Sequence, residues 1–244
     1  MKYFQDFIAN EKLIFLLYEI ENFLGYKIKA SVMPSEHRKY ARLSVSKNED
    51  NKWTLHYIPD LPQGEATFCH ELMHLVLWIE GYPGFLFDER WISLNLQREI
   101  IYMLSNLVLH INVWNMTYQY GFDESNDYKI EDLIKSVRED TPPPNVQTDI
   151  LLAVSSSMLA QGLLMPATAE EKQELRDVAT KKIPNSLKYA DLMISTLHQF
   201  FPLTPESTIN ALQALFDVIH APKGIINPIF SEHIVPDFRV RFKI

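Results

Sequence analysis

The chain has 244 residues, 47% of them hydrophobic, with a formal net charge of −8 and a single cysteine. This is enough apolar material for one large domain or two small ones, and a lone cysteine excludes an internal disulfide framework and suits a reducing compartment. The negative balance argues against nucleic acid as a partner, since the basic clusters His37-Arg38-Lys39 and Lys181-Lys182 are too short to track phosphates.

At the N-terminus, Phe4 to Leu24 is interrupted by Asp6, Asn10, Glu11, Lys12, Glu19 and Glu21. It reads as an amphipathic element with a helix from Glu11 to Leu24, and not as a secretory signal. No segment approaches a membrane span, so a cytoplasmic protein with no membrane partner is expected. Three short strands follow: Tyr26 to Met33, Ala41 to Lys47 and Trp53 to Ile58.

Between Pro62 and Pro83, the stretch Gly64 to Gly81 contains no proline and accommodates a helix. Phe68, Leu72, Leu75, Val76 and Ile79 share one broad face of it. Within it stands His70-Glu71-Leu72-Met73-His74, an HExxH sequence. Two histidines four apart on a helix lie one above the other, ~6 Å apart, close enough to share a tetrahedral ion. A glutamate beside the first can hold the water that such an ion polarises. Together they are the ligands and base of zinc-dependent hydrolysis. The blander alternative is a satisfied core histidine, which more often sits alone on the apolar face. Cys69 points about 100° away from His70 around the helix and reads as a small core residue.

One helix supplies two ligands, so the third comes from elsewhere. The next helical pattern, Trp91 to Trp114, places Glu99, Asn106 and His110 near one face, with Tyr102 and Met103 between them. Glu99 and His110 share a direction but stand ~16 Å apart along the axis, so one of them at most reaches the ion. His110 lies in the apolar run Leu104 to Trp114, where an imidazole costs stability unless it finds a partner, and a metal is the partner on offer. That favours His110, with Glu99 as the alternative third ligand. Asn106 is a candidate for supporting His110 or touching substrate, and Tyr102 for donating to an oxyanion. Asp88 and Glu89 sit in a Pro/Gly-rich connection and read as the start of the helix.

A charged helix, Glu124 to Glu139, precedes the proline run Thr141-Pro142-Pro143-Pro144, which is extended and ends any helix. Four helices are expected beyond it: Asp149 to Leu164, Ala167 to Lys182, Ser186 to Phe200 and Pro205 to His220. Thr168-Ala169-Glu170-Glu171 fits a capping box and Thr204-Pro205 puts proline at a first helical position. The tail ends in Phe238-Arg239-Val240-Arg241-Phe242-Lys243-Ile244, an alternating, strand-like run. The expected organisation is a domain over 1–140, a helical subdomain over 145–220 that covers a cleft or recruits a protein partner, and an extended tail over 221–244. The fold class is α+β and predominantly helical, with a small three-stranded sheet packed on the HExxH helix.

The order helix, three strands, HExxH helix resembles the ImmA/IrrE type of small zinc metallopeptidase, a minimal gluzincin-like architecture. Ser105 to His110, followed by Gly121-Phe122-Asp123, is similar to an Asn-x3-His element and Gly-Phe turn in uncharacterised bacterial and phage relatives. The resemblance covers roughly residues 10 to 125. It implies a Zn2+ cofactor, a peptide or protein substrate, and a glutamate on the following helix as third ligand. Met73 departs from the small residue common at that position, and the Glu99/His110 choice departs from a clearly aligned acid. The expected function is a zinc-dependent peptidase with Glu71 as general base. The alternative is a non-catalytic, metal-binding regulatory or protein-interaction module.

Overall fold

The computed structural model describes residues 2–35, 43–48, 50–59, 61, 63–87, 95–123, 130–139, 148–220 and 226–243. The side chains of 85–87, 95–99, 148–150 and 226–227 are outside that description. So are His37-Arg38-Lys39, Asp88, Glu89 and the proline run 142–144.

Helix α1 spans Glu11–Leu24. Asn10 opens it by accepting from the Lys12 N–H, and Gly25 closes it at φ 75°, a conformation glycine adopts without a Cβ clash. Its face of Leu13, Leu16, Leu17 and Ile20 is buried. Strands β1 (Lys2–Tyr3), β2 (Lys29–Val32), β3 (Leu43–Lys47) and β4 (Trp53–Tyr57) form a mixed sheet in the order β1-β2-β4-β3. The β2/β4 pair is parallel and the other two are antiparallel. The sheet thus has four strands where three are expected, because Lys2–Tyr3 pairs with Lys29 and Ala30. A two-residue strand is too short to show alternation in sequence.

Helix α2 (Glu65–Ile79) carries the HExxH motif. From Ala66 to Ile79 every residue but His74 is buried, so the helix is enclosed all round and does not show one apolar stripe to a core. Strand β5 (Gly84–Phe87) follows, then the long helix α3 (Asn95–Gln119). Helices α4 (Ile130–Glu139), α5 (Thr148–Leu164), α6 (Ala169–Lys182), α7 (Pro184–His198) and α8 (Pro205–Val218) complete a predominantly helical α+β fold. The caps read from the sequence are present: Thr168 and Glu171 bond reciprocally, and Pro205 follows the Thr204 cap. Among the described residues no helix is long and apolar enough to cross a membrane.

Two hydrophobic clusters form. The first joins α1, α2, the sheet, the end of α3 (Val113, Met116) and Tyr120 just beyond it. The second joins the earlier part of α3 (Ile100, Ile101, Leu104, Leu107, Val108) to α4–α8. The tail returns to the first cluster. Strand β6 (Ile226–Ile229) pairs antiparallel with β5, and Phe238 and Phe242 are buried beside α1 and α2. The expected strand at 238–244 is instead a 3-10 turn over Phe238–Phe242. The two phenylalanines, four apart, pack with ring centroids 5.4 Å apart; in a strand they would share a face but stand ~13 Å apart, too far to touch. Glu80, buried at the end of α2, accepts from the Arg239 backbone N–H at 2.8 Å and from its guanidinium.

Candidate metal centre

α2 and α3 pack against each other and bring three imidazoles together. His70 and His74 are consecutive-turn neighbours on α2, with Nε2 atoms 3.2 Å apart. His110, from the middle of α3, packs against both at steep ring angles, its ring centroid 4.8 Å from that of His70 and 5.1 Å from that of His74. One nitrogen from each ring lies within 4.8 Å of the others. Two nitrogens bound tetrahedrally at about 2.0–2.1 Å from zinc sit about 3.3 Å apart, so the His70–His74 edge has the spacing such an ion requires. The wider His110 edges differ from it by an amount that side-chain torsions supply.

The electrostatics suit neutral ligands. Burial holds the imidazole of His74 well below the usual histidine range, and the neighbouring His70 adds to it. His110 is lowered for the same reasons, first by burial and then by His70 and His74. Neutral imidazole is the form that binds metal. His70 is 2% exposed, whereas His74 and His110 keep part of their surface. The donor set and the spacing fit a metal ion, and no other set of three or more His, Cys, Asp or Glu among the described residues does so.

Glu71 is 6% exposed and its Oε2 accepts from the backbone N–H of Val45 in β3 at 2.9 Å. Tyr102, on α3 two turns before His110, hydrogen-bonds Asn106 and feels the charge of Glu71. Its ring is half exposed but its hydroxyl is enclosed, and burial raises the phenol above its usual range. The predicted residues His70, Glu71, His74, Tyr102, Asn106 and His110 therefore gather around one place. Glu99 lies in the first turns of α3 with its side chain outside the described residues.

Two further groups belong to the site. Gln161 of α5 places its side-chain amide 3.2 Å from Nδ1 of His110, leaving Nε2 for an ion. Trp114, one turn beyond His110, flanks the same ring at 5.4 Å between centroids. Gln161 left one trace in the sequence, a solitary amide in the small and apolar run Leu151 to Leu164. The Val45 N–H left none, because a backbone donor has no residue type. No family model, no curated protein and no solved structure matches the chain.

Proposed function

We propose that the protein is a zinc-dependent hydrolase cleaving a peptide bond, with His70, His74 and His110 as ligands and Glu71 as general base. The observation that carries this reading is the convergence of three imidazoles from two helices beside a buried glutamate. Zinc held there would lower the pKa of water and polarise the scissile carbonyl. Glu71 takes the water proton and delivers it to the leaving amine. The Tyr102 hydroxyl, hydrogen-bonded with Asn106 and within electrostatic reach of Glu71, is the side-chain donor for a developing oxyanion.

Substrate alignment is supported by β3, which ends the sheet among the described residues. Its Val45 N–H turns away from β4, toward Glu71. Backbone groups alternate along an antiparallel strand, so those of Leu43 and Lys47 face the same free edge. An extended peptide adding there would run past Glu71.

The test is Glu71→Gln. Zinc content should stay at about one per chain, while hydrolysis of unstructured peptides falls by ~10²-fold or more. Undiminished hydrolysis in a preparation free of contaminating protease would sink the assignment. The Val45–Glu71 hydrogen bond also favours a second reading, in which Glu71 is a structural acceptor in a non-catalytic metal-binding module. In that case wild type hydrolyses nothing and Glu71→Gln lowers stability only.

A further inference from the structure

Gln161 stands on the far side of His110 from the ion position, and it comes from the second hydrophobic cluster, not the first. Its neighbours on α5 fix its place: Leu159 and Ala160 are fully buried and Leu163 nearly so. α5 packs mainly on α7 and α3, so the amide is delivered to His110 by the helical half of the chain. An imidazole that binds an ion through Nε2 carries its proton on Nδ1 and must donate it. In the structure the amide nitrogen Nε2 of Gln161 faces Nδ1. The oxygen and nitrogen of a glutamine amide exchange places by a half turn, which brings Oε1 to the same position to accept the Nδ1 proton of the ion-binding ring form.

We propose that Gln161 is a positioning residue that holds His110 in its ion-binding tautomer, making metal affinity depend on the packing of α5. This rests on the zinc reading of the three histidines. Outer partners of ligating histidines orient the ring and raise its basicity, and their loss costs about 10- to 100-fold in metal affinity. The helical half thereby completes the metal centre, and any partner that shifts α5 alters how firmly the ion is held.

The experiment is a titration of metal-free protein with Zn2+ against a chromophoric chelator, in wild type, Gln161→Met and Gln161→Glu. Far-UV circular dichroism checks each fold, and the visible spectrum of the Co2+ form checks the ligand geometry. Gln161→Met keeps the volume and removes the acceptor, so zinc should bind about 10- to 100-fold more weakly. Gln161→Glu keeps an acceptor and should bind as tightly as wild type or tighter, with an unchanged Co2+ spectrum. Equal affinity in Gln161→Met overturns the proposal, and so does a Gln161→Glu variant as weak as Gln161→Met, which would leave packing as the residue's only role. A wild type that binds neither Zn2+ nor Co2+ overturns the zinc reading itself, an outcome separable from the other two.

Discussion

His74 and His110 are held neutral first by burial and then by neighbouring imidazoles, His70 acting on both and His74 also on His110, and this has a cost in acid. In the unfolded chain both titrate near the ordinary value of 6.5. Below that pH the unfolded state binds more protons than the folded one, so stability is intact above about 6.5 and declines as pH falls toward the lowered folded-state values. Each such histidine adds at most about 1.4 kcal/mol per pH unit within its window. Urea unfolding of zinc-stripped protein from pH 8 to 5 should show that decline, and His110→Ala should flatten it; equal slopes in the two proteins would mean that His110 is solvated. Zinc binding gives the companion measurement. His74→Ala and His110→Ala should each abolish stoichiometric zinc while retaining helical structure. Zinc kept in His110→Ala alone would move the third position to Glu99. These residues were legible in the sequence because histidine and glutamate carry their chemistry in their type and spacing. Gln161 and the Val45 N–H were obscure for the opposite reason: a lone amide on a distant helix, and a backbone donor shared by nearly every residue, acquire meaning through tertiary packing alone.

At the level of elements, periodicity placed the helices well because it reports burial of one face. α1 matches its expected span, and the ends of α5 to α8 coincide or differ by at most two residues, as frayed ends do. The pattern failed at the tail, where alternating residues suggested a strand. There the i, i+4 pair Phe238 and Phe242 and the anchor at Glu80 decide the conformation, and both depend on α2 being in place. Glu80 makes the anchor testable. Its carboxylate side chain is 4% exposed and Arg239 neutralises it. Arg239→Ala leaves a buried charge with one backbone donor, and Arg239 is itself partly exposed, so the loss should be ~3 kcal/mol, at the low end for breaking a buried pair. The double variant Glu80→Gln, Arg239→Ala should recover part of it. Urea midpoints at pH 7 decide: a single variant within about 0.5 kcal/mol of wild type, the scatter of ordinary surface substitutions, would show that the tail is not anchored there.

At the level of the molecule, the question is whether the metal centre and the helical half fold as one unit. α3 gives Val113 and Met116 to one cluster and Ile100 to Val108 to the other, so neither cluster is complete without the same helix. The Leu203 carbonyl, just before α8, accepts from the Tyr82 hydroxyl at 2.7 Å and from the Asn112 amide at 3.1 Å. Gln161 crosses to His110, and the tail crosses back to α2. Removing either half would expose apolar surface and strand buried polar partners on the other, which argues for a single cooperative transition. The sequence supplies two separable probes. All four tryptophans (Trp53, Trp78, Trp91 and Trp114) precede the proline run at 142–144, so fluorescence reports the metal-binding half. Far-UV circular dichroism draws heavily on α5 to α8. The two urea midpoints should coincide, and zinc at about 100 times its dissociation constant should raise both by the same ~2.7 kcal/mol in stability. A fluorescence transition that moves with zinc while the dichroism transition splits and leaves a zinc-independent phase would mean that α5 to α8 fold alone. The bond from Gln161 would then join two independent bodies, and the ion would be felt in only one of them.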